Sequence, residues 1–292
     1  MANKSLEAEA TARKRGQMQA AGWTVGVVVV IIVFILLAKL VSNGSSGGGT
    51  ASSSGTSPAP ASLVAKVTSL EASVFAAVGQ GSATSLPKPI SAPALTQNGK
   101  PQIVYLGAEY CPYCATERWP MVIALSRFGS FSNLQTTHSS SSDVYPSTQT
   151  FSFHGASYSS PYIAFTGVET YSNVPQGSGY APLDTPTSAE QSLLNTYDAP
   201  PYVSSSSSGA IPFVDFGGKY LISGASYSPQ VLQGKSADQI ASALSDPSTD
   251  ISKGAVGTAN AITAAICKMT NDQPGKVCGT SVIQGLEQKL GG

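Results

Sequence analysis

Charge is scarce in this 292-residue chain: Asp, Glu, Lys and Arg make up 11% of it, and 16 acidic side chains offset 16 basic ones to a net charge of zero. A phosphate-binding surface needs a basic patch, so the composition carries no nucleic-acid footprint and no nucleic-acid partner is expected. Histidine is scarcer still. Only His138 and His154 occur, neither at ligand spacing from a cysteine pair, which argues against a zinc site. Cysteines number four: Cys111, Cys114, Cys267 and Cys278. A close pair and a wider pair suit one redox disulfide and one structural disulfide, and that combination needs an oxidising compartment. What abounds is Gly, Pro and Ser, whose long polar stretches read as linker or surface loop. The length allows one large domain or two small ones.

One long apolar run supplies the compartment. No charged residue occurs from Ala20 to Ala38, and Val27-Val28-Val29-Val30-Ile31-Ile32-Val33-Phe34 lies at its centre. Roughly 20 apolar residues at about 1.5 Å each span a hydrocarbon core of about 30 Å. Arg13, Lys14 and Arg15 precede the run, and Lys39 is the only nearby cation after it. The positive-inside tendency then predicts a cytoplasmic tail (1–19), a single transmembrane anchor (20–41) and an extracytoplasmic remainder. A cleaved signal peptide is the rival, although its apolar region would be unusually long and no convincing Ala-x-Ala site ends it. Both readings export the bulk of the chain.

Residues 42–61 form a Ser/Gly/Thr/Pro tether, too polar to build a core. Leu63, Val67, Leu70 and Val74 recur at spacings of three and four, predicting one amphipathic helix within 62–98. Its expected role is packing against the domain that follows; the pattern is too short to favour a dimer seam. That domain covers 99–247. It should contain a buried strand at Gln102–Leu106, a helix at Ala115–Phe128 that Pro120 interrupts and kinks, and strands at Phe151–Phe153 and Tyr162–Phe165. A Pro/Gly/Ser-rich insertion spans about 172–208, with a short helix at Ser188–Tyr197. A hairpin of Ala210–Phe216 and Lys219–Ile222 turns on Gly217-Gly218. Ser236 should cap a helix running to Leu244. Residues 248–292 read as a helical hairpin, Ala259–Met269 and Ser281–Leu290. No internal repeat is evident.

The chemistry is carried by Cys111-Pro112-Tyr113-Cys114, set directly after the apolar Ile103-Val104-Tyr105-Leu106. A strand, a short loop (Gly107-Ala108-Glu109-Tyr110) and a Cys-x-x-Cys opening a helix make a redox signature. The first thiol would sit on free amides at the positive end of a helix, which favours the nucleophilic thiolate. Cys111 is therefore expected to be the exposed attacking thiol and Cys114 the buried resolving one. Pro112 and Tyr113 would tune the thiolate. Half of a zinc site completed by Cys267 and Cys278, or an inert structural disulfide, are the alternatives.

Ile103 through Cys114 resembles the active-site segment of thioredoxin-like proteins, and the Cys-Pro-Tyr-Cys core is similar to glutaredoxins and to periplasmic disulfide oxidases. More narrowly, three features resemble the uncharacterised membrane-anchored family filed as domain of unknown function 929. These are the anchor, the segment from Cys111 to Trp119, and Ile211-Pro212-Phe213-Val214-Asp215-Phe216. The resemblance covers about Pro101 to the C-terminus. It implies an α/β, thioredoxin-like fold with an insertion and C-terminal helices, preceded by one transmembrane helix. It also implies a cis Pro212 against the cysteines, leaving backbone at Ile211 and Pro212 free to pair with a substrate strand. An ordinary edge proline is the plainer reading.

One position departs from the family. Thioredoxin-like proteins carry a buried acid six residues before the first cysteine, and here that residue is Tyr105, with an ordinary pKa near 10. Glu109 and Glu117 are the nearest acids. A solvated surface position is the default for both, and a proton relay through water is the sharper idea. Trp119 and the nearby tyrosines would line a substrate groove or simply pack.

Cys267 and Cys278 flank a turn containing Pro274-Gly275, where a disulfide would staple two helices. A second redox pair is the less favoured role. The expected function is a membrane-anchored thiol–disulfide oxidoreductase acting on cysteine-containing exported proteins. It would work with a membrane redox partner and need no metal or organic cofactor. The alternatives are a binding or assembly module with a static disulfide, and a metal chaperone.

Overall fold

A central strand, β1 (Lys100–Gly107), organises the computed structural model, which describes residues 55–291. Its apolar run Ile103–Leu106 is buried on both faces, as an unbroken hydrophobic strand requires. Alternate side chains serve two cores. Ile103 and Tyr105 join one cluster, while Val104 and Leu106 join another across the sheet. On one side β1 pairs in parallel with β2 (Ala164–Glu169), placing Gly107 opposite Glu169. On the other it pairs antiparallel with β3 (Phe213–Phe216), placing Leu106 opposite Phe213. β3 turns back into β4 (Tyr220–Ser223) through Gly217 and Gly218, whose φ of +66° and +71° suit a tight hairpin that side chains would resist. Two-residue strands at Lys88–Pro89 and Thr96–Gln97 pair with β4 and β1.

The larger core lies between the sheet and a helical layer. Helices α1 (Ala61–Thr68) and α2 (Ala72–Val78) contribute Leu63, Val67, Val74 and Phe75. The motif helix α3 (Pro112–Ser126) contributes Trp119 and the run Met121–Leu125. On the opposite face, α4 (Ser188–Tyr197) lays Leu193 and Leu194 over Val104 and Leu106. Then come α5 (Ala237–Ala243), α6 (Asp250–Met269), the single turn α7 (Gly275–Cys278) and α8 (Ser281–Lys289). α6 is buried along nearly its whole length.

Several sequence expectations change. The predicted single helix before the domain is two, meeting at 58°. Thr68 and Ser69 turn their hydroxyls onto the carbonyls of Val64 and Ala65, a local competitor of helix continuation. The tether ends early, because Ser57–Pro58 pairs with Gln135–Thr136 and α1 starts at Ala61. α3 is not interrupted: it begins at Pro112 and runs through Pro120 to Ser126. β3 begins only at Phe213, later than the predicted Ala210.

The insertion holds a hairpin, Tyr171–Gln176 with Gly179–Pro182, besides the predicted helix. α6 starts nine residues before the predicted Ala259. Gly254 and Gly257, which weaken helix propensity, lie where a Cβ would sit 2.4 Å from Tyr227 and 2.3 Å from the Gln80 carbonyl. The predicted anchor at 20–41 lies outside the described residues, among which no single helix is long and apolar enough to cross a membrane.

Candidate active site

β1 delivers the chain to the site through a loop that is itself pinned. The Glu109 amide donates to the Tyr171 carbonyl at 2.8 Å, and the Cys111 amide to the Ala108 carbonyl at 3.3 Å. Cys111 caps α3, with Pro112, whose fixed φ suits a first helical turn, directly after it. The Cys111 Sγ accepts the Cys114 amide at 3.3 Å. Both cysteines are thiols here.

Cys111 is not exposed as expected, with 5% of its surface accessible, while Cys114 has none. The cover comes from far along the chain: the Cys111 thiol donates to the Ile211 carbonyl at 3.7 Å. The Ile211–Pro212 peptide is cis and Pro212 is buried just before β3. β1–β3 pairing brings this segment onto the sulfur across 100 residues. Tyr113 stays 42% exposed, edge-on to Tyr145.

The two thiols are electrostatically unequal. The hydrogen bond from the Cys114 thiol does most to lower the Cys111 pKa. Burial opposes it, and the Cys114 amide, Arg118 and the Tyr113 amide lower it further. Burial pushes Cys114 well above its ordinary value, helped by its hydrogen bond to Cys111. The arrangement thus favours charge on Cys111 and keeps Cys114 protonated.

Beneath the pair lies an ion pair that the sequence did not reveal. Arg118 donates through Nε and Nη2 to Glu169 at 2.7 and 2.6 Å, and through Nη2 to the Ala108 carbonyl at 2.7 Å. Neither side chain is exposed. Ala108 therefore takes hydrogen bonds from both Arg118 and the Cys111 amide. Burial is the largest influence on Arg118 and opposes its charge, but Glu169, Tyr105 and Cys114 together raise its pKa well above the usual value; burial raises Glu169, with Arg118 opposing. A lone cation four residues after Cys114, before an apolar run, was the available signal for Arg118. Glu169 carried none.

Tyr105 is buried beside this pair, its hydroxyl without a partner among the described residues and its pKa raised well above normal by burial. It is thus a neutral group and not a base.

Glu109 and Glu117 are not solvated. Both are buried: Glu109 in the loop that Tyr171 pins before α3, and Glu117 on the face of α3 that meets Ser226. Glu109 Oε2 accepts from Thr56 at 3.3 Å. Glu117 accepts the Ser226 amide at 2.8 Å and the Ser226 hydroxyl at 3.0 Å, and burial pushes its pKa up to about 7. Trp119 is fully buried, donating to the Gln149 carbonyl, so it lines no groove. The tyrosines do gather near the motif: Tyr110 stacks on Tyr180 at 4.3 Å, and Tyr171 is 44% exposed.

Cys267 and Cys278 are disulfide-bonded to each other across α6 and α7, which removes them as ligands completing a zinc site with Cys111 and Cys114. His138 bonds to the Ser139 carbonyl and His154 to Asp184.

These features define a mixed α/β protein in which a cysteine pair caps the helix after the central strand. The chain belongs to the family described as Domain of unknown function (DUF929), which matches residues 88–268. The matched span holds Cys111, Cys114, Ile211, Pro212 and Cys267, with Cys278 beyond it. No curated protein and no solved structure matches the chain.

Proposed function

We propose that this chain is a thioredoxin-like thiol–disulfide oxidoreductase, anchored in a membrane by residues 20–41 and working outside the cytoplasm on cysteines of exported proteins. The observation that carries the proposal is the asymmetry of the pair. Cys111 accepts an amide at the start of α3 and has its pKa lowered; Cys114, one turn on, is fully buried with its pKa raised. A purely structural disulfide needs no such difference.

The Cys111 thiolate attacks one sulfur of a partner disulfide, forming a mixed disulfide and releasing the partner's other sulfur, which takes a proton. Cys114 then loses its proton and attacks Cys111 Sγ. The Cys111–Cys114 bond forms, the mixed disulfide breaks, and the partner leaves as a dithiol reduced by two electrons. Run backwards, the same steps oxidise the partner. A membrane redox partner would reset the pair. Ile211, whose carbonyl faces Cys111, and Pro212 would offer backbone to the incoming strand. The sheet supports a thioredoxin-like arrangement: β1 leads into the cysteine helix, with a parallel neighbour on one side and the β3–β4 hairpin on the other.

The test is Cys114→Ala in the native envelope. Mixed disulfides through Cys111 should accumulate and disappear with reductant, and Cys111→Ala should give none. Absence of adducts from Cys114→Ala, with a reduction potential below about −300 mV, would instead favour a binding module with a static disulfide.

A further inference from the structure

A groove of about 860 Å³ runs between α1–α2, the C-terminal half of α3 and the α7–α8 corner. Its walls include Val67, Leu70, Phe75, Ile123, Val277 and Val282. No carboxylate lines it, but two cations do: Lys276 at the exposed rim and the half-buried Arg127. The Arg127 guanidinium lies 4.3 Å from the Phe75 ring centroid. Its Nη1 donates to Thr263 Oγ1 at 3.1 Å and to Asn260 Oδ1 at 3.4 Å. Both partners are neutral, and among the described residues no Asp or Glu pairs with Arg127. Burial lowers its pKa only to about 10, so it stays cationic at neutral pH. A charge this enclosed is ordinarily paired, because neutral neighbours compensate its lost hydration poorly.

We infer that this groove binds an anionic amphiphile of the fatty-acid class, with its carboxylate on Arg127, Lys276 at the rim and its alkyl chain along the apolar walls. A neutral apolar ligand would leave Arg127 unpaired, and a small inorganic anion would leave the walls in water. The volume falls within the range of small-molecule sites, about 300–1,000 Å³. The Cys267–Cys278 bond ties α7, which carries Lys276 and Val277, to α6. This site is independent of the thiol chemistry proposed above.

The test is photolabelling of the full-length chain in a neutral detergent with a diazirine-bearing palmitic acid and, separately, the matching diazirine alcohol. The acid should label peptides covering Ser69–Ala76 or Lys276–Val282 saturably and in competition with unlabelled palmitate. The alcohol should label them about tenfold less, the order expected for losing one charge-assisted hydrogen bond. Arg127→Gln should lower labelling by about the same factor, and Arg127→Lys should keep most of it. Ser73→Trp, at an exposed wall position of α2, should block labelling while leaving Arg127 intact, so that loss through misfolding is distinguished. The inference is overturned by equal labelling with acid and alcohol, by unsaturable labelling, or by unchanged labelling in both Arg127→Gln and Ser73→Trp. Cross-links joining two copies through these peptides would overturn it too, since a second copy would then occupy the groove.

Discussion

Tyr227 donates its hydroxyl to the Thr116 carbonyl at 3.1 Å, deep in the core. The helical partner of that carbonyl would be the amide of residue 120, which is a proline. Tyr227 therefore supplies the donor that Pro120 lacks, and α3 passes through the proline. Tyr227→Phe should leave the carbonyl bare and destabilise the fold by about 1–3 kcal/mol. Urea unfolding measures this, and a change within error would mean that the proline is accommodated otherwise.

Arg118 links the core to the thiols. Arg118→Met is expected to raise the Cys111 pKa, because the guanidinium favours the thiolate, and so to slow Cys111 alkylation at neutral pH. Breaking a buried pair also costs about 3–5 kcal/mol, so the comparison needs material shown to be folded by circular dichroism. Glu169→Gln should instead lower the Cys114 pKa, since the Glu169 charge raises it. Alkylation rates against pH, resolved by peptide mapping, give both shifts. An unmoved Cys111 profile in folded Arg118→Met would remove the electrostatic role.

Glu117 makes stability depend on pH. Its folded pKa is about 7 against an ordinary 4.5, so between those values the folded chain keeps a proton that the unfolded chain has released. Stability should therefore fall as pH rises through that window, by about 3 kcal/mol. Asp215, pushed up to about 6 by burial, adds a slope of the same sign at lower pH. Urea midpoints at pH 5 and 8 should differ less in Glu117→Gln than in the wild type, and equal differences would contradict the assignment.

The Cys267–Cys278 bond closes a loop across a sequence separation of 11. The double variant Cys267→Ala/Cys278→Ala should lose about 2–4 kcal/mol by the loop-closure argument. Cys111 alkylation should be unchanged in it. A slowed Cys111 with unaltered thermal stability would point to a redox link between the two pairs.

What the chain reveals by itself is what neighbouring residues decide among themselves. Cys111 before Pro112 at a helix start, the Gly217-Gly218 hairpin and the Ser236 cap, bonded to the Gln239 amide, each close within about four residues. The Ser188–Tyr197 helix, expected with these bounds, is also closed locally: Thr187 and Glu190 form a capping box at its start, a signal that the sequence reading did not use. The break between α1 and α2 was missed because a sustained apolar period says nothing about hydroxyls that compete for backbone carbonyls. The early start of α6 was missed because Gly254 and Gly257 read as weak helix formers until Tyr227 and Gln80 are brought against them.

The character of the site was decided only in three dimensions. Glu117 meets Ser226 across 109 residues, Arg118 meets Glu169 across 51, and Cys111 meets Ile211 across 100. Whether a carboxylate is solvated or buried, or a thiol open or covered, depends on which distant segment the sheet and α6 carry onto it. Local sequence specifies the side chain; desolvation and partners come from the packed fold, and they set which thiol ionises.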